Sequence, residues 1–349
     1  MDDFGDPLAN VVPLSGDDRH FDRFYFNIHD SSTDRLVMVG AGIYPGKKVI
    51  DGFVVVVDPG RQRNLRFSTV AGTGPVNGVG PFRWTVVEPM QRWRLTLGEN
   101  PLGVTFDMTW LNRTPAWHNT VTIENSNSSP AVFDHLVQSG RYEGALSIDG
   151  SERAVDGWWG QRDRSRGVRN VSGGQGLHLW VQAQFPDRCI SFLLGENRRN
   201  EVILLEGAVL HESGTIDEVV EVRHSLDFDD GLDLRGGLLR VRTESGQVSE
   251  LVCDATAGGG FLHGAGYGGE HGRDKGYDWI AVDEIPLDGT VRPRDLSTPM
   301  TDRLTRFASG DEVGYGIFEF AHSRSTSYTY RPSINLNGHN PYAAESHQR

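Results

Sequence analysis

The chain is 349 residues long and carries 34 Lys+Arg against 47 Asp+Glu, a formal net charge of −13. That length holds two ordinary domains or one large β domain, and 8 Trp, 16 Phe and 9 Tyr supply apolar surface that a disordered chain lacks. No apolar run approaches the roughly 20 residues that span a bilayer, and an acidic balance argues against a general nucleic-acid binder.

Three of the basic residues are lysines (Lys47, Lys48, Lys275), which leaves 31 arginines. A GC-rich coding bias is the bland account. The functional one is that some arginines form buried forks to carboxylates, which lysine does poorly. Cys189 and Cys253 give neither metal-ligand spacing nor a CxxC pair. The acidic opening lacks a signal-peptide pattern, so cytoplasmic residence is the default expectation. The sequons at Asn112, Asn127 and Asn170 then carry no message.

Along the chain, strand signals dominate. Phe53 to Val57 is a continuous apolar run that reads as a strand buried on both faces, and Val202 to Leu205 reads the same way. Phe82 to Glu88 and Val104 to Trp110 alternate. Leu177 to Phe185 puts Leu177, Leu179, Val181, Ala183 and Phe185 on one face, with His178, Trp180, Gln182 and Gln184 on the other. Asp51-Gly52, Asn77-Gly78, Asp149-Gly150, Asp156-Gly157, Asp230-Gly231 and Asp288-Gly289 read as turns. Helical periodicity is scarce, with one short helix expected over Asp302 to Phe307. Many strands without helical crossovers predict an all-β chain of antiparallel sandwiches or barrels. Length divides it into units of residues 1–150 and 151–331, with a polar tail over 332–349.

The densest polar cluster runs from Val155 to Arg169. As a strand it places Trp159, Gln161, Asp163, Ser165 and Arg169 on one face and Trp158, Arg162, Arg164 and Arg166 on the other. Asp163 among four arginines is either part of a buried Arg–Asp tie between units, the commoner case, or a site carboxylate fixed among donors. In the preceding strand His135, Val137, Ser139, Arg141 and Glu143 share a face, which is solvated or lines a polar cavity. The 12 histidines show no metal-ligand spacing; His263 and His271 flank a Gly-rich stretch without making a convincing pair. That stretch, Gly258 to Gly276, reads as a loop at a barrel mouth or simply a solvent loop. There is no GxSxG elbow and no P-loop lysine. His29-Asp30 reads as a turn rather than a polarised pair.

Several strings carry a resemblance. Arg23 to Asp30, Gly42-Ile-Tyr44-Pro45-Gly, Gly80 to Trp84, Gln138 to Gly144 and Trp158-Trp159-Gly-Gln-Arg162-Asp163-Arg-Ser165 resemble a bacterial two-domain family of largely unassigned function. It is similar to the AttH-like and carotenoid 1,2-hydratase-like group, over roughly residues 20 to 325. In that family a Trp follows the serine, where this chain has Arg166. The resemblance implies two lipocalin-like β units packed together. It also implies relatives that include hydratases, cyclases and isomerases of terpenoid or polyketide-like molecules.

On that analogy the expected function is acid/base hydration, dehydration, cyclisation or isomerisation of a hydrophobic small molecule in a cavity between the units. Glu143 is the expected acid/base group, with His135 and Tyr142 beside it and Asp163 as an anchor. Trp84, Trp158, Trp159, Trp180, Tyr267, His271, Arg141 and Arg162 are the expected substrate contacts. No metal and no cofactor is expected. The expected partner is the hydrophobic ligand, with neither nucleic acid nor a membrane span, and a homodimer is left open. A non-catalytic carrier is the alternative, and a carbohydrate-active sandwich the third.

Overall fold

In the computed structural model the described residues are 8–11, 16–30, 35–123, 130–168 and 175–334. The expected tail from 335 onward, Arg169 and the sequons at Asn127 and Asn170 lie outside them. Twenty-one strands make two antiparallel sheets. The only helical pieces among the described residues are two single 3-10 turns, Pro45–Lys47 and Pro293–Asp295.

The first sheet takes β1 (His20–His29), β2 (Leu36–Tyr44), β3 (Val49–Asp58) and β4 (Arg61–Val70) as a meander. It continues through β5 (Gly78–Val79), β6 (Phe82–Glu88), β7 (Arg92–Leu97) and β8 (Val104–Asn112). The short β9 (Trp117–Ile123) leads into a long hairpin of β10 (Ala131–Ile148) and β11 (Ser151–Val168). The order β4-β3-β2-β1-β11-β10-β8-β7-β6-β5 curls this sheet into a half-barrel around its own core.

The second sheet is β12 (Gln175–Gln184), β13 (Arg188–Asn197), β14 (Val202–His211), β15 (Ile216–Phe228), β16 (Leu234–Thr243) and β17 (Val248–Asp254). It adds β20 (Thr301–Ser309) and β21 (Glu312–His322), and β17 pairs with β20 to close an eight-strand barrel. The short β18 (Gly259–Phe261) pairs with β20, and β19 (Trp279–Pro286) returns to the first sheet beside β4. The expected all-β, two-unit lipocalin-like architecture is the one observed.

Period-2 alternation explains where the cores sit. Leu177, Leu179, Val181, Ala183 and Phe185 fill the barrel interior. The other face of β12 is not solvated: His178, Trp180, Gln182 and Gln184 are buried against the first sheet. A third apolar layer, including Tyr25, Val137, Trp180, Leu193, Leu304 and Ile317, joins the outside of the barrel to the outer face of the half-barrel.

Several expectations need correction. Asp302 to Phe307 is strand, not helix, because β20 is held between β17 and β21. Val202 and Ile203 are exposed, since only the second half of β14 is covered. Asp51-Gly52 is no turn; it lies within β3, where Gly52 leaves room for the Phe67 ring. Asp156-Gly157 is a bulge, with Gly157 at φ +66 adding a residue to β11 opposite Tyr142 and Glu143. Asp149-Gly150 is a turn as expected, closing the β10–β11 hairpin; β11 lies in the first sheet and the chain crosses to the barrel after Val168.

Candidate functional site

The strand registers assemble the site. Arg23, Ser165 and His135 stand side by side on β1, β11 and β10, and Tyr25, Asp163 and Val137 form the next row. From the barrel, Trp180, Glu319 and Asp302 form a row across β12, β21 and β20. Arg23, Ser165, His135, Tyr25 and Asp163 on one side and Trp180 and Glu319 on the other border a cavity of about 60 Å³, lined also by His178, Leu193, Met300 and Tyr267.

The barrel side carries a buried acid. Asp302 has no exposed surface, and Tyr25 donates to its Oδ2 at 2.6 Å. Burial, reinforced by the neighbouring Glu319 carboxylate, pushes the Asp302 carboxyl well above the ordinary range. Oδ1 is buried with no hydrogen-bond partner among the described residues, which a neutral carboxyl tolerates better than a charged one. Glu319 Oε1 is 2.7 Å from His178 Nε2, so Glu319 is tethered while it borders the cavity.

The half-barrel side carries a charged relay. His135 lies between Glu206 (Nδ1 to Oε1, 2.5 Å) and Asp163 (Nε2 to Oδ2, 3.2 Å). Burial alone would lower its pKa, but Glu206 and Asp163 overcome that and hold it at about 10. His135 is therefore an imidazolium that donates to both carboxylates, and it fixes Asp163 at the cavity wall. Arg164 turns to the opposite face and forks onto Asp22 at 2.9 and 2.8 Å. Arg162 is buried against Trp93 and Trp110.

The remaining expected site residues are scattered. Glu143 is exposed, in the part of β10 that pairs with β8, whereas His135 lies in the part that pairs with β9. Eight residues of strand separate them, roughly 26 Å at 3.3 Å per residue. Tyr142, Trp84 and Trp158 belong to the half-barrel's own core, where Trp84 Nε1 donates to the Leu8 carbonyl. Trp159 is clamped between Arg113 and Arg141, 4.8 and 3.9 Å from its ring centroid. Trp180 and Tyr267 do border the cavity. His271 packs edge-on to Tyr267 and lies 3.6 Å from Asp51.

The Gly-rich segment does not sit at the barrel mouth. It crosses to the half-barrel, where Arg66 donates to the Gly264 carbonyl and Gly272 N–H to Asp51, and so delivers Tyr267 and His271 to the site. His263 bonds Ser297 instead of approaching His271. Among the described residues, no three His, Cys, Asp or Glu side chains are grouped to hold a metal ion.

Tyr25, His178, Glu206, Asp302 and Glu319 are absent from the sequence-level site. One signal for Glu319 was legible. It is a lone carboxylate between Phe318 and Phe320 on a strand whose phenylalanines fill the barrel. Asp302 was hidden by the helical reading of its segment.

This fold, a closed barrel packed on a half-barrel with a polar cavity between them, is shared with solved two-unit β proteins. Over residues 4–329 it belongs to the family described as a family of unknown function, DUF8625. A protein of Nitrosomonas europaea assigned to AttH has a similar structure, with TM-score 0.59 and 12% identity, covering 90% of this chain and 98% of that one. CghA, solved with Sch210972, gives TM-score 0.52 and 11% identity over 92% of this chain and 96% of its own. No curated protein matches the sequence.

Proposed function

We propose that this chain is an enzyme that moves protons on a small hydrophobic molecule held between barrel and half-barrel, by hydration, dehydration, cyclisation or isomerisation. The observation that carries the reading is the Asp302–Glu319 pair, whose Glu319 borders the same cavity as Asp163. Acid/base sites are recognised by carboxyl groups whose environments drive their protonation apart. Asp302 is kept neutral, while Asp163 is bonded to an imidazolium.

In this reading the proton held on Asp302 passes through the Glu319 carboxylate to an alkene carbon or an oxygen of the ligand, and the pair is reprotonated from solvent. Water, or a π bond of the ligand itself, attacks the developing cation, and Asp163 accepts the proton that leaves. The Trp180 indole beside Glu319 shelters the charge. His178 and Tyr25 hold the acid pair, and His135 and Glu206 position Asp163. The Glu143 and Tyr142 roles expected from sequence pass to Glu319 and Asp302. That CghA, a protein of the same fold, was solved with Sch210972 supports ligand binding by this architecture.

The test is native mass spectrometry with a terpenoid and polyketide panel, followed by product analysis for wild type, Glu319→Gln and Asp302→Asn. A converted ligand whose turnover falls by about 10²-fold or more in Glu319→Gln, with binding retained, is expected. A ligand recovered unchanged makes the chain a carrier. Full turnover in both variants overturns the assignment of the acid.

A further inference from the structure

Among the described residues, four arginines with largely shielded side chains meet a carboxylate, and Arg162 and Arg23 differ from them. Arg63, Arg113, Arg164 and Arg303 each meet a carboxylate, on Asp58, Glu212, Asp22 and Asp233. Arg162 meets none, but it is enclosed by two tryptophans and bonded to Gln138. Arg23 is the second exception, and it borders the cavity.

Arg23 sits directly opposite Ser165, in the row that ends at His135. Its Nη2 donates to the Tyr267 hydroxyl at 2.8 Å and lies 3.5 Å from His271 Nε2. Its Nε and Nη1 make no hydrogen bond, and no described carboxylate lies within ion-pair distance. Asp163, the nearest candidate by register, is already committed to His135. Burial opposes the Arg23 charge, while its surroundings, including the Asp51 and Asp163 carboxylates, favour it, so Arg23 stays a cation. A guanidinium with unused N–H donors at a cavity wall suits a single charge-assisted hydrogen bond to an anion.

We infer that Arg23 is the binding residue for a carboxylate on the ligand, so the molecule taken up is an amphipathic acid. Its carboxylate docks on Arg23 beside Tyr267, and its apolar body lies along Phe133, Leu193, Trp180 and Met300, toward Glu319. This rests on the reading of the cavity as the ligand site. It narrows the substrate from any hydrophobic molecule to one bearing an anion at the end remote from the acid pair.

Calorimetric titration with cinnamate and with its neutral isostere cinnamamide, at fixed pH and salt, tests this on wild type, Arg23→Met and Arg23→Lys. Wild type should bind cinnamate about 10-fold or more tighter than cinnamamide, as a charge-assisted contact gives. Arg23→Met should lose that preference while still binding cinnamamide, and Arg23→Lys should restore part of it, with circular dichroism confirming that both variants fold. Equal binding of the two probes by wild type, or a preference that survives in Arg23→Met, overturns the inference and leaves the cavity reading intact. Binding of neither probe overturns both.

Discussion

Asp302 and Glu319 stand directly opposite each other on β20 and β21, with Tyr25 closing the pair from the other sheet. Like charges opposite each other on a sheet are destabilising, and here the cost is avoided by keeping a proton on Asp302.

That proton has a stability consequence. Asp302 is ionised in the unfolded chain at neutral pH and protonated in the folded one, so folding takes up a proton and stability falls as pH rises above the ordinary value of 3.8. Asp302→Asn keeps the shape and removes the penalty. It should raise the melting temperature at pH 7 to 8, with the gain vanishing below about pH 4, while turnover is lost. Thermal melts across that range check it, and a variant less stable than wild type at pH 8 contradicts the neutral-acid assignment.

His135 has the opposite sign. Its folded pKa of about 10 lies above the ordinary 6.5, so its contribution is complete below pH 6.5 and fades as pH rises through 10. The pairing is worth at most about 5 kcal/mol. Urea unfolding of His135→Gln should therefore differ most from wild type at pH 6 and least at pH 10. A gap that is constant with pH would mean that packing, not charge, is what the histidine supplies.

Arg113 ties the two sheets. Its guanidinium donates to the Phe185 and Arg188 carbonyls, to Ser139 Oγ and to Glu212, and stacks on Trp159. Arg113→Ala leaves buried acceptors unpaired, and should cost about 3 kcal/mol in denaturant titration. Arg113→Lys recovers little, because an ammonium does not reach four partners from one planar fork.

Gly160 holds β1 against β11. A Cβ there would lie 1.9 Å from the Asn27 carbonyl oxygen and 2.5 Å from the Tyr142 ring. Gly160→Ala should destabilise by at least about 2 kcal/mol. It should also spread the β1–β11 pair that sets the Tyr25–Asp163 row, so ligand binding should weaken with stability. An alanine variant with unchanged melting temperature would show that the strands can separate freely.

The parts of this molecule legible in sequence are those governed by period-2 alternation. Leu177 to Phe185 divides between barrel core and interface as the pattern requires, and Asp163 faces away from Arg162 and Arg164. Asp-Gly pairs were ambiguous, because a turn, a bulge at Gly157 and a close approach at Gly52 all ask for the same glycine. Glu143 looked as suitable as His135 because a shared strand face says nothing about distance along it.

By itself the sequence determined an all-β chain, its strand faces, and Asp163, His135, Trp180 and Tyr267 as groups of interest. Only the tertiary structure decided the site. Tyr25, Asp163 and Asp302 come from strands up to 277 residues apart in the chain. What gives them their chemistry is burial between two sheets and the identity of the facing carboxylate. Neither is a local property. A carboxyl on a strand is an ordinary solvated acid until a second sheet removes the water, and that removal keeps the proton on Asp302 and leaves Arg23 without an anion.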